Sequence, residues 1–139
     1  MSLSAVEYPR DASTEVLAAM ACSDLELGNV GWARRTLADA TESGRGADHP
    51  EISAASARLA ILDGRPQDAV ELLRPLTRIR NFPFTGVLRA RNQVWLGEAL
   101  RSTGDENASL RAFQAAVRSA PRSCWAETAR RLQAIGDGY

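Results

Sequence analysis

Apolar residues recur along this chain at helical intervals. From Glu15 to Leu27 they are Val16, Leu17, Met20, Ala21 and Leu25, a spacing that gathers them on one helix face. Trp32, Ala33, Leu37 and Ala40 form a second stripe, and Ile52, Ala55, Leu59, Ala60 and Leu62 a third. Ala69, Val70, Leu72, Leu73 and Leu76 make a fourth; Leu96, Gly97 and Leu100 mark a fifth; Phe113, Ala116 and Val117 mark a sixth. Trp125, Ala129, Leu132 and Ile135 mark a seventh, which ends at Gly136. Breakers separate the stripes: Gly28-Asn29, the cluster SGRGADHP, Gly64-Arg65-Pro66, the longer connector RIRNFPFTG, Gly104-Asp105 and Pro121. No segment alternates as a strand does, so the pattern predicts an all-α chain.

Local chemistry agrees with these boundaries. Asp11, Ser13 and Thr14 offer capping oxygens before the first helix, after an irregular segment over residues 1–12. Asp48 and Glu51 have capping-box spacing around Pro50, and His49, in the turn beside that proline, is expected to serve capping. Pro66 fits a first helical turn.

The turn glycines set a common register. Five residues after Gly28, Gly64 and Gly104 come Ala33, Ala69 and Ser109; nine after come Leu37, Leu73 and Phe113; twelve after come Ala40, Leu76 and Ala116. Seven before come Ala21, Ala57 and Gly97. Small residues let two antiparallel helices approach, a large one fills the space beside them, and glycine permits the tight turn. Self-similarity of this kind indicates a repeat architecture.

On these residues the chain resembles the tetratricopeptide repeat family. The third unit carries the resemblance best, through Leu96, Gly97, Gly104, Phe113, Ala116 and Pro121. It departs at Gln93 and Leu100, where the family favours aromatics, and at Ser109, where it favours alanine. The first two units lack the Leu-Gly pair and the closing proline, and the glycines lie 36 and then 40 residues apart. The resemblance implies an all-α right-handed superhelix over residues 13–136: three helical hairpins, at about 14–47, 50–80 and 86–121, then a terminal helix at 122–136. That last helix repeats the first-helix pattern through Trp125, Thr128, Ala129, Leu132 and Gly136, so it reads either as a terminal cap or as the start of a further repeat.

Function by this resemblance is non-catalytic binding of a protein or peptide in a concave groove lined by the first helix of each hairpin. Carried over by position, the groove residues include Cys22, Arg58, Arg91, Val94, Glu98 and Arg101, with the arginines as candidates for an acidic or carboxylate group. The paired lysines and asparagines with which chaperone-binding members hold a C-terminal carboxylate are absent at the aligned places. The stretches LAILDGRPQDAVELLRPL and LGEALRSTGDENASLRAFQAAVRSAP also resemble the helical-repeat segment of large MalT-like, LuxR-type ATP-dependent transcription regulators of bacteria. That resemblance implies a sensor domain for a small-molecule inducer or a regulatory protein.

Composition narrows the reading. Apolar residues make up 45% of the chain, and formal net charge is zero, so no bulk attraction to nucleic acid or membrane is expected. All 17 basic residues are arginine, which fits codon bias in a GC-rich genome. Arg74, Arg78, Arg80, Arg89 and Arg91 fall in a stretch between Glu71 and Glu98 that holds no acidic residue. This asymmetry can contact phosphate, but direct nucleic-acid binding is not expected. Phe82 and Phe84 in the long connector read as an exposed docking loop or as a plug that folds back over the repeat spacing. Cys22 and Cys124 share no motif spacing and are expected to be reduced and partly buried. With one histidine, no metal-ligand spacing and no glycine-rich phosphate loop, neither an enzyme, a metal nor a cofactor is expected. The start of the chain lacks a signal-peptide pattern, so a cytoplasmic protein is expected, with self-association through the terminal helix and Trp125 as a further option.

Overall fold

The computed structural model describes residues 14–42, 49–79 and 85–137. Among these residues it contains seven α-helices and no strand: α1 (Thr14–Glu26), α2 (Val30–Glu42), α3 (Pro50–Leu62), α4 (Pro66–Leu76), α5 (Gly86–Ser102), α6 (Glu106–Ser119) and α7 (Cys124–Asp137). Each predicted stripe falls on one of them. The chain divides into two compact units, the first ending at Ala55 and the second beginning at Ser56, a boundary inside α3.

The three turn glycines are built alike. Gly28, Gly64 and Gly104 have φ of 83°, 76° and 93°, and no non-glycine residue described has positive φ. After α1, the Asn29 amide donates to the Asp24 carbonyl at 2.7 Å and the Gly28 amide to Leu25 at 3.2 Å. Arg65 to Ala60 and Gly64 to Ile61 repeat this pair, as do Asp105 to Leu100 and Gly104 to Arg101. This is the Schellman closure, which needs a left-handed residue after the helix and satisfies two orphan carbonyls. The residue after the glycine starts the next helix: the Asp105 side chain accepts from the Ala108 amide at 3.1 Å, while Arg65 makes no side-chain cap and Pro66 stands at the first helical position.

In the first unit α1 packs against α2. Leu17, Ala18, Ala21 and Leu25 are buried on one helix, Ala33, Thr36, Leu37 and Ala40 on the other. The His49 ring nitrogen Nδ1 accepts from the Glu51 amide at 3.2 Å, the capping role expected for it. Asp48, the expected capping-box partner of Glu51, lies outside the described residues.

In the second unit α5 packs against α4, α6 and α7, and α6 also packs against α7. Every residue from Ala90 to Gly97 is buried, so α5 has no solvent face over two turns. A helix so enclosed must satisfy its polar groups internally. The Arg91 Nε and Nη2 donate to Asn92 Oδ1 at 3.1 and 2.8 Å, and Ser119 Oγ donates to Gln93 Oε1 at 2.8 Å. Ser109 Oγ donates to the Gly97 carbonyl at 2.8 Å. Gln93 and Ser109, two departures from the family pattern, thus make bonds that the family's usual residues cannot. Gly97 has a steric reason as well: a Cβ there would lie 2.7 and 2.9 Å from two carbons of the buried Phe113 ring.

Four stripe residues differ from expectation. Val16, Trp32, Leu62 and Ile135 are exposed. Each sits in the first or last turn of its helix, where the stripe runs past the neighbour that buries the middle.

Candidate functional site

In the second unit, side chains link α3, α5 and α7 in sequence. Arg58 of α3 forms an ion pair with Glu98 of α5, and the Arg58 guanidinium lies 5.5 Å from the Trp95 ring centre. Trp95 meets Trp125 of α7 edge-on, with ring centres 6.0 Å apart and planes at 84°. The Arg91 guanidinium lies 4.7 Å from the Trp95 ring centre. Aromatic edge contacts and guanidinium–ring contacts each favour this close arrangement over loosely packed alternatives. The Arg58 and Glu98 side chains keep 23% and 29% exposure and Trp125 is half-buried, so solvent and a ligand can reach these parts of the cluster, while Trp95 and Arg91 are closed off.

Arg101, one turn beyond Glu98, spans three helices. Its Nε and Nη2 bond both carboxylate oxygens of Glu106 at 3.1 and 2.8 Å, its Nη1 donates to the Leu132 carbonyl at 2.8 Å, and its guanidinium lies 5.1 Å from the Phe113 ring centre. A bidentate guanidinium with its remaining nitrogen on a backbone carbonyl holds α5, α6 and α7 together. Its charge is therefore engaged within the chain.

The other expected groove residues are placed differently from a solvent-facing lining. Arg91 is 1% exposed and Val94 is likewise closed off, because α4, α6 and α7 surround this part of α5. Cys22 belongs to the first unit; it is buried, and its thiol donates to the Glu51 carbonyl at 3.6 Å. Of the expected groove residues, Arg58, Glu98 and Arg101 keep partly exposed side chains. Phe82 and Phe84 lie outside the described residues. Neither cysteine is in a disulfide; Cys22 is buried, whereas Cys124 is exposed rather than partly buried, as it opens α7. Among the described residues no three His, Cys, Asp or Glu side chains are gathered to hold a metal, and no helix is long and apolar enough to cross a membrane.

One arrangement went unread in the sequence. A cavity of about 310 Å³ in the second unit is lined by Thr77, Arg89, Gln93, Ala115, Arg118 and Ser119. Arg89 belongs to the acid-free stretch, but Arg118 lies 29 residues further along. Only the antiparallel return of α6 brings the two to one cavity. The available signal was the pairing of α5 with α6, which sets the start of one helix against the end of the other.

No protein-family model, curated protein or solved structure matches this chain.

Proposed function

We propose that this chain is a non-catalytic helical-repeat scaffold that binds a peptide or protein segment along the exposed edge of α3, α5 and α7. What supports the reading is the side-by-side linkage of these helices through Arg58–Glu98 and Trp95–Trp125. In a tetratricopeptide-like hairpin each of them is the first helix, and an array of first helices is where such scaffolds receive an extended or helical segment. The accessible chemistry is the Arg58–Glu98 ion pair and the half-buried Trp125 ring, suited to a segment that combines an acidic group with an apolar side chain.

A displayed library of random peptides, selected against the intact protein, tests this. Enriched peptides are expected to carry acidic and apolar residues and to lose binding at least tenfold to Arg58→Glu, with helicity by circular dichroism unchanged. Failure to enrich any peptide, or equal binding by the variant, overturns the reading. Arg91 is left untouched because its burial confounds binding with folding.

A further inference from the structure

We infer that the cavity between the start of α5 and the end of α6 is a binding site for an oxyanion head group, a phosphate or carboxylate borne by a small molecule. The site lies on α4, α5 and α6, and it does not depend on the peptide-binding reading.

The lining carries two guanidiniums, Arg89 and Arg118, and no carboxylate. Among the described residues neither arginine has an ion-pair partner. Arg89 Nη1 is shielded from solvent and has no hydrogen-bond acceptor among the described residues. A guanidinium has five donors and no acceptor, so an unpaired sheltered nitrogen is costly until an oxygen is brought to it. The neutral side chains add to the same inventory. Gln93 Oε1 already accepts from Ser119 Oγ, which leaves the Gln93 amide nitrogen as a donor. Thr77 Oγ1 and Ser119 Oγ have their protons committed to the Arg74 carbonyl and to Gln93, so these hydroxyls add only acceptor lone pairs. The donors and the positive charge of the cavity come from Arg89, Arg118 and the Gln93 amide.

Backbone geometry fixes these groups. A Cβ on Gly86 would come within 2.9 Å of the Ser119 carbonyl oxygen, so the first turn of α5 and the last turn of α6 touch there. The positive end of one helix dipole meets the negative end of the other, and the two offset. The net field in the cavity then comes from Arg89 and Arg118. With no acidic residue between Glu71 and Glu98, no carboxylate of that stretch neutralises them. The forked donors of two guanidiniums match the planar or tetrahedral oxygens of carboxylate and phosphate. The volume exceeds that of either head group alone, which leaves room for the rest of a small molecule.

The test is thermal unfolding of the whole chain in rising sodium phosphate, against sodium chloride of equal ionic strength, with sodium succinate as a second arm. Phosphate, succinate or both should raise Tm over the millimolar range, by about 5 °C beyond the chloride control once the anion exceeds its Kd roughly tenfold. Response to one arm alone identifies which head group the site takes. Arg89→Gln and Arg118→Gln should each abolish most of the rise, while Arg111→Gln, exposed on α6 and outside the lining, should keep it. Arg118 is exposed, so its variant folds even if Arg89→Gln does not. No rise above chloride in either arm, or an undiminished rise in Arg118→Gln, overturns the proposal.

Discussion

The hairpin α1–α2 and the hairpin α5–α6 share one register but differ in how the space between their helices is filled. At the small position before the turn the first has Ala21 and the second Gly97; at the large position after it the first has Leu37 and the second Phe113. All these side chains are buried, and in the second hairpin the Phe113 ring occupies the volume that a Cβ on Gly97 would need. The larger filler thus goes with the smaller opposing residue, while the glycine closure stays the same. The hairpins differ again in their surroundings. Within its unit α1 packs on α2, whereas α5 is enclosed by α4, α6 and α7 and buries Arg91, Asn92 and Gln93. Identical turn chemistry can therefore support an amphipathic helix in one place and a fully enclosed one in another.

The sharpest way to break this comparison is to empty the large position. Phe113→Ala should cost about 3–5 kcal/mol in urea unfolding, against about 2–3 kcal/mol for Leu37→Ala. Equal costs would mean that filler size does not distinguish the hairpins. Next, Arg91→Ala should cost about 2–3 kcal/mol, since it strips Asn92 Oδ1 of two donors and Trp95 of a stacked cation. Arg91→Lys should not restore the loss, because a point charge cannot replace the planar fork; full rescue by lysine would show that charge alone matters.

The size match itself is open to a double-mutant cycle. Gly97→Ala should cost about 1–2 kcal/mol by crowding the ring, even though alanine is the better helix former. In a Phe113→Leu background the same change should be close to neutral, which amounts to grafting the α1–α2 pair onto α5–α6; additive effects would reject the coupling. Gly28→Ala and Gly104→Ala should each cost about 1 kcal/mol and match one another, because nothing lies near either position and only the positive φ is strained. Unequal values would show that the two turns are not equivalent. Last, Arg58→Ala should change stability by less than about 1 kcal/mol, and by less still in high salt, as expected for a partly exposed ion pair.

Much of this arrangement was legible beforehand because it depends on near neighbours. A glycine at a helix end, a capping group after it and apolar residues three and four apart act over a few residues, and all seven helices follow from them. His49 beside Pro50 was readable for the same reason. That Arg58 and Glu98 each stand six residues before a turn glycine was legible too. Their pairing was not, since it joins residues 40 apart. Nor was the burial of Arg91 and Val94, or the full rather than partial burial of Cys22, because a helix sequence does not state how many neighbours surround it. The weak amphipathicity of RARNQVWLGEALR was the one hint that α5 lacks a solvent face.

By itself the sequence determined where helices begin, turn and end, because those choices rest on backbone conformation and capping within a few bonds. Tertiary structure alone decided which polar side chains are enclosed, which arginines are already engaged and which two share a cavity. The reason is that desolvation and charge pairing depend on what is near in space, and antiparallel return brings Arg118 to Arg89 across a span that no local rule reads.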